Sequence, residues 1–339
     1  MNKRALRADI LLLLTAGIWG FGFVAQRSGM EYVGPFAFNG IRFILGSLSL
    51  LPLILIRRKN SVPRFFESSK SESFKKLIIY SLAAGGCLFI AVILQQIGIM
   101  FTTAGKAGFI TGLYVVLTPI FGIFLGKNTG SATWVGSLFT IAGLYFLCAA
   151  GQVSAINPGD IITVISAVFW ACHVLLIDRM VKDIDPLLLS AGQFGVCGIL
   201  SLAGAFIAEP FIIPFVEFIN PALLAAGTFA WIPFPALLEG ILSQAIVFPT
   251  GAIIPILYGG LGSVGIAYTL QVVAQRDAPP AHATIILCFE GCFAAIGGAL
   301  LLSEKISSWT FLGFILMLAG MLITQWEVIA LSKKRTDKS

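Results

Sequence analysis

Apolar runs of roughly membrane-crossing length alternate with short polar segments from one end of this chain to the other. A spanning helix needs about 20 apolar residues. On that measure ten runs qualify, approximately 9–27, 35–56, 77–100, 104–126, 132–150, 160–178, 187–208, 252–275, 280–302 and 308–330. They are called spans 1 to 10 below. Span 1 follows Lys3, Arg4 and Arg7 as a signal peptide would, but its apolar stretch is too long, and Trp19 and Gln26 stand where small residues would mark cleavage. Between spans 7 and 8 lies an insert at about 209–250 with Pro210, Pro214, Pro221, Pro233, Pro235 and Pro249 and no Lys or Arg. Within it Leu237, Leu238, Ile241, Leu242, Ala245 and Ile246 share one helical face opposite Glu239, Ser243 and Gln244, the pattern of an interfacial helix on the outer surface. Both a lid and a passive membrane-hugging loop fit that pattern.

Composition agrees with the runs. Apolar residues make up 58% of the chain and charged ones 11%, against about 25% charged in ordinary soluble domains. The net charge of +6 comes from basic residues in short segments between apolar runs, where they act as topology signals and form no nucleic-acid-binding pattern. With the amino terminus inside, 18 of the 22 Lys and Arg residues fall on the cytoplasmic side, all but Arg27, Arg42, Lys106 and Lys305. That distribution predicts a multi-pass protein of the inner (plasma) membrane with both termini cytoplasmic. The six Cys residues all sit in apolar runs without a CxxC pair, and two His are too few for a metal cluster, so no cofactor or metal is expected.

The chain repeats itself. Adding 151 carries Asp9 to Asp160, Ala16 to Ala167, Trp19 to Trp170, Pro35 to Pro186 and Phe43 to Phe194. Adding 176 or 177 carries Gln95 to Gln271, Lys106 to His282, Gly136 to Gly313 and Gly143 to Gly320. The halves are residues 1–150 and 151–339, five spans each, and because five is odd the second half starts on the opposite side of the membrane. The expected fold is thus an all-α membrane protein of ten transmembrane helices in two inverted five-helix repeats. Secondary transporters are often built this way, with substrate held between the repeats near the midplane.

Polar residues inside the spans mark the candidate site. Glu290 lies about ten residues into span 9, at mid-bilayer depth, where an ionised side chain costs on the order of 2.5–3.5 kcal/mol by insertion scales. Two readings fit: a working carboxylate, or a protonated one sealing a helix contact. Thr15, Trp19, Gly22 and Gln26 form one face of span 1, matched on span 6 by Ser166, Trp170, His173 and Ile177. Span 8 carries Tyr268, Gln271 and Gln275, answered on span 3 by Gln95; span 4 carries Thr111, Tyr114 and Thr118, and Tyr114 is the repeat mate of Glu290. Lipid-facing stripes are apolar, so these faces are expected to turn inward around a small cavity. The substrate-binding set is Trp19, Gln26, Gln95, Thr111, Tyr114, Trp170, His173, Tyr268, Gln271 and Glu290. Arg42, whose mate is the uncharged Gln193, is open to snorkelling or carbonyl binding as much as to substrate contact.

Five stretches carry a family resemblance: AGIWGFGFVAQR at 16–27, PFAFNGIRF at 35–43, GFITGLYVVLTPIFG at 108–122, YTLQVVAQ at 268–275, and the Glu290 run closing with LLLSE at 300–304. Together they resemble the EamA-type ten-helix transporters of the drug/metabolite transporter superfamily. The resemblance implies two EamA-like repeats and a central cavity that exports or takes up small metabolites. The expectation is a secondary transporter that exports an amino acid or similar small polar metabolite by alternating access, as a monomer or homodimer in the lipid bilayer. Glu290 would carry protons, since a carboxyl keeps its proton when buried and yields it when hydrated. Two alternatives stand beside this: an intramembrane or lipid-processing enzyme, for which no HExxH, GxSxG or acid-paired His is present, and a passive channel, which needs charge rings that one mid-membrane acid does not supply.

Overall fold

A computed structural model describes residues 3–60, 70–101, 104–127, 129–148, 158–212, 236, 238, 239, 249–301 and 308–336. The expected interfacial helix of the outer insert falls outside the described residues, apart from scattered positions. All regular elements among the described residues are helical: α1 (Lys3–Gly29), α2 (Pro35–Asn60), α3 (Lys70–Phe101), α4 (Ala104–Gly112), α5 (Tyr114–Phe124), α6 (Ser131–Cys148), α7 (Pro158–Met180), α8 (Pro186–Ile207), α9 (Thr250–Leu257), a π-helical stretch (Tyr258–Tyr268), α10 (Thr269–Ala274), α11 (Pro280–Leu287), α12 (Glu290–Leu301) and α13 (Ser308–Thr336).

Local chemistry sets several of the ends. Asp185 caps α8 by accepting from the backbone N–H groups of Leu187 at 2.9 Å and Leu188 at 3.4 Å, and Pro186 occupies the first turn, where no N–H is missed. Gly126 ends α5 in the left-handed region at φ 72°, letting the Lys127 N–H turn back to the Gly122 carbonyl at 2.9 Å.

Among the described residues, seven helices are long and apolar enough to cross a membrane: Lys3–Gly29, Pro35–Arg57, Ser73–Phe101, Pro158–Met180, Pro186–Ile207, Thr250–Ala274 and Pro280–Leu301. Shorter apolar helices occupy Ile110–Phe124, Ser131–Phe146 and Phe311–Thr324.

Three spans are less regular than the sequence pattern suggests. Span 4 breaks at Leu113, between α4 and α5, and span 9 breaks at Cys288 and Phe289, between α11 and α12. These positions are related by the same offset that pairs Tyr114 with Glu290, and the two breaks touch: the Cys288 thiol lies 3.5 Å from the Gly112 carbonyl. Span 8 widens into π geometry over YGGLGSVGIAY, where four glycines weaken the commitment to a regular α-helix.

Helices distant in sequence interleave. α1 packs against α12, the π-helical stretch and α10, whereas α7 packs against α3, α4 and α5. α2 lies along α8 and α6 along α13. Residues paired by the sequence repeat meet at the centre: the rings of Trp19 and Trp170 lie 6.3 Å apart and those of Phe43 and Phe194 6.1 Å apart. α6 and α13 come close enough that a Cβ on Gly136 would sit 2.7 Å from the Gly320 carbonyl, and one on Gly143 would sit 2.7 Å from that of Gly313. Such small-residue contacts let helix backbones approach without a side chain between them.

Candidate functional site

The interleaved centre leaves a narrow cavity lined by Trp19, Phe23, Gln26, Arg42, Gln95, Thr111, Tyr114, Trp170, Val174, Ser263, Tyr268, Gln271, Leu287 and Glu290. Its volume is about 30 Å³, the space of two or three waters at roughly 10–15 Å³ each.

One wall is aromatic. Tyr268 stands edge-on to Trp19 with ring centroids 4.5 Å apart and nearly parallel to Trp170 at 6.0 Å. Trp19 is fixed by its indole N–H, which donates to the Ser263 carbonyl at 3.3 Å, and the Thr15 hydroxyl one turn earlier reaches the Ala267 carbonyl at 3.1 Å. Both acceptors belong to the π-helical stretch, so α1 is fastened to the irregular part of span 8. The Tyr258 hydroxyl adds a third tie, donating to the Ile18 carbonyl at 2.8 Å.

The opposite wall is polar. Glu290 is the first residue of α12, just past the turn in span 9. The Tyr114 hydroxyl, at the matching start of α5, donates to Glu290 Oε1 at 3.4 Å. Gln95 donates to the Thr111 hydroxyl at 3.0 Å, which holds spans 3 and 4 together beside the cavity. Gln271 donates to Gln275 at 3.1 Å, and Gln275 in turn donates to the Val174 carbonyl at 3.1 Å. Gln26 donates to the Gly22 carbonyl at 3.3 Å. The carbonyl oxygens of Gln26 and Gln271 and the indole N–H of Trp170 are buried with no hydrogen-bond partner among the described residues.

Nine of the ten residues singled out from the sequence line this cavity, and His173 does not. It sits behind Trp170 with ring centroids 6.1 Å apart, fully buried, and its Nε2 pairs with Gln193 Oε1 at 2.9 Å across the α7–α8 contact. The lining also includes Arg42, Phe23, Val174, Ser263 and Leu287, which the sequence reading had not placed there. Arg42 is 2% exposed, with its Nε donating to Asn39 Oδ1 at 2.8 Å and its guanidinium 5.0 Å from the Phe43 ring centroid. It faces inward rather than snorkelling to the surface.

Ion pairs gather at the helix ends assigned to the cytoplasmic side. His282 Nε2 lies 2.8 Å from Asp9 Oδ1, joining the starts of spans 9 and 1. Asp178 takes both Lys127 and Lys182, the latter at 3.2 Å, and Asp183 takes Lys76 at 2.7 Å and the Tyr80 hydroxyl at 3.0 Å. Lys76 and Tyr80 hold the Asp183 carboxyl below its ordinary value by hydrogen bonding to its charged form.

An all-helical membrane protein packed around a central polar cavity is the class these features define. The profile of the EamA-like transporter family matches residues 6–149 and 224–326, well over half of the sequence, and the chain belongs to that family. An Archaeoglobus fulgidus protein described as an uncharacterized transporter is 27% identical over 96% of this chain and 88% of its own length. The Bacillus subtilis uncharacterized transporter YoaV is 22% identical over 90% of this chain and 91% of its own. YedA of Escherichia coli K12, described as an uncharacterized inner membrane transporter, is 24% identical over 56% of this chain and 59% of its own. A crystal structure aligns with a TM-score of 0.70 over 96% of this chain and 98% of that one, at 16% identity, a likeness of fold alone.

Proposed function

We propose that the protein is a secondary transporter that exports a small polar metabolite of the amino-acid kind by alternating access, with Glu290 exchanging a proton between the two sides. In this reading the three shorter apolar helices complete ten crossings, and the halves 1–150 and 151–339 are inverted repeats that rock about the central contacts. The observation that carries it is the convergence of nine polar and aromatic residues, drawn from spans 1, 3, 4, 6, 8 and 9, on one cavity with Glu290 in its wall. Contact between repeat mates supports the two-fold arrangement: Trp19 with Trp170, Phe43 with Phe194, Tyr114 with Glu290.

The cavity as it stands is too small for an amino acid, so its walls must part to admit one. The ion pairs at the cytoplasmic ends are the contacts that inward opening would break. Outward direction rests on the family resemblance alone, and comparison of right-side-out with inside-out vesicles decides it.

The test is uptake by proteoliposomes of labelled amino acids, sugars and nucleosides, with and without an imposed pH gradient, for wild type and Glu290→Gln. Gradient-driven accumulation of a compound by wild type, lost in Glu290→Gln, is the expected result. Undiminished accumulation in Glu290→Gln reduces Glu290 to a packing role.

A further inference from the structure

Among the described residues that line the cavity, Arg42 is the only Lys or Arg. No carboxylate of the described residues lies within ion-pair distance of it. Its described partners are the neutral Asn39 amide and the faces of Phe38 and Phe43, at 5.5 and 5.0 Å. Its stem rests against the π-helical stretch, where a Cβ on Gly259 would lie 3.3 Å from Arg42 Cδ, so the head is held at the cavity rather than drawn out to the membrane surface. Charged groups within a membrane are costly and as a rule are paired or mark a substrate path.

We propose that Arg42 receives an anionic group of the substrate and that, together with Glu290 on another part of the wall, it selects a small zwitterion carrying one carboxylate and one ammonium. The proposal rests on the reading of the cavity as a substrate site. Each half of the chain contributes one of these charges, and each charge is a departure from the repeat: Arg42 has the uncharged mate Gln193, and Glu290 has the uncharged mate Tyr114. A frame built from repeated halves thus carries a positive and a negative pole, which suits a ligand with two unlike ends.

The other ligand classes fit less well. A neutral sugar or nucleoside leaves both poles unanswered. A phosphate or dicarboxylate brings excess negative charge beside Glu290, and a simple amine brings positive charge beside Arg42. A carboxylate also matches the planar guanidinium fork, which can donate two parallel hydrogen bonds to it. The unpartnered atoms follow the same division: the Trp170 N–H is a spare donor for a carboxylate, and the Gln26 and Gln271 carbonyls are spare acceptors for an ammonium. Trp19, Tyr268 and Phe23 remain for the body of the ligand.

The test uses the purified full chain. The proteinogenic amino acids, D-glucose, uridine, putrescine and succinate are screened for binding by the shift in melting temperature, and hits are confirmed by counterflow in proteoliposomes. Each zwitterion that binds is then compared with its decarboxylated amine and its deaminated acid. Wild type is expected to prefer the zwitterion over either relative by on the order of 10- to 100-fold, the value of one charge-assisted contact. Arg42→Gln should lose the preference over the amine and keep that over the acid, and Glu290→Gln should do the reverse. Arg42→Lys keeps a cation and should retain most of the preference over the amine, which separates lost recognition from lost folding. If Arg42→Gln discriminates as wild type does, the proposal is overturned. Binding only of neutral or dianionic compounds, or of putrescine, also overturns it and leaves the transporter reading standing. Failure of every compound to bind or move overturns both.

Discussion

Tyr114 and Glu290 meet at 3.4 Å, hydroxyl to carboxylate, each at the first residue beyond a break in its span. The sequence offset that pairs them also pairs Gly112, the last residue of α4, with Cys288 in the turn of span 9, and these two touch at 3.5 Å. The two turns therefore meet in one contact. The chain stays hydrogen-bonded through both, with the Leu113 N–H on the Ile110 carbonyl and the Phe289 N–H on the Ile286 carbonyl at 3.1 Å each, so they are tightened turns beside the cavity that holds Glu290.

Removing the hydroxyl and removing the charge should have different consequences. Tyr114→Phe keeps the ring and deletes one long hydrogen bond to a carboxylate, so transport should fall by on the order of tenfold, the low end for a bond to a charged group. Glu290→Gln keeps the shape but carries no proton, so gradient-driven accumulation should vanish while exchange of substrate across the membrane persists. Parallel measurement of accumulation and counterflow in the two variants checks this, and equal loss of both activities in Glu290→Gln argues for a structural carboxylate.

Gly20 marks where span 1 crosses span 9. A Cβ there would lie 2.7 Å from the Glu290 carbonyl oxygen and 2.7 Å from the Ala294 backbone nitrogen. Both are backbone atoms, and they cannot swing aside as a side-chain end can. Gly20→Val should therefore destabilise the protein by about 1–3 kcal/mol, the usual cost of overpacking, and should shift α12 and Glu290 with it. A thermal melt in detergent together with loss of transport is the expected pair of results. A normal melt with normal transport would mean that α1 and α12 do not approach this closely.

How far the sequence foretold this centre depends on what kind of signal each part leaves. A polar or aromatic residue within an apolar run stands out one position at a time, and Trp19, Gln95, Tyr268 and Glu290 were found that way. The breaks at Leu113 and at Cys288–Phe289 leave no comparable mark, because the apolar pattern runs through them and the geometry arises from contact between two helices. The π-helical stretch hides for the same reason: its glycines at 259, 260, 262 and 265 show a weak point, not which way the backbone yields. Arg42 was visible as a charge, but its direction was not, since both an outward snorkel and an inward head obey the same periodicity. The inward direction is set by α2 lying against the π-helical stretch.

His173 follows Trp170 by three positions and so shares its helical face, yet it points past the cavity to Gln193. A side chain that fastens α7 to α8 should affect stability more than recognition. His173→Ala should lower the melting temperature and leave the substrate KM within about twofold, since KM follows binding only where a contact is lost. A large rise in KM with an unchanged melt would return His173 to the site.

The Trp19 indole carries two duties that can be separated. Trp19→Phe keeps an aromatic face against Tyr268 but gives up the N–H bond to Ser263, which should cost about 0.5–1.5 kcal/mol of stability. Trp19→Ala also removes the face and should cost about 3–5 kcal/mol, with substrate affinity falling as well. If the two variants melt alike, the indole bond rather than the ring holds α1 to the π-helical stretch.

The ion-pair staple at Asp183 gives a prediction about pH whose sign is fixed by its partners. Lys76 and Tyr80 stabilise the charged carboxyl, so its folded value lies below the ordinary aspartate value of about 3.9. A carboxyl with a lowered folded value contributes stability above the unfolded value and loses it as pH falls through the folded one. The difference in melting temperature between wild type and Asp183→Asn should therefore stay constant from about pH 5 to pH 8 and shrink only below about pH 4. Since Asp183 does not titrate in the upper range, any change in transport between about pH 5 and pH 8 must come from other groups, and Asp183→Asn should leave that part of the profile in place. A profile that Asp183→Asn flattens near neutral pH would mean that the staple is not the lowered carboxylate described here.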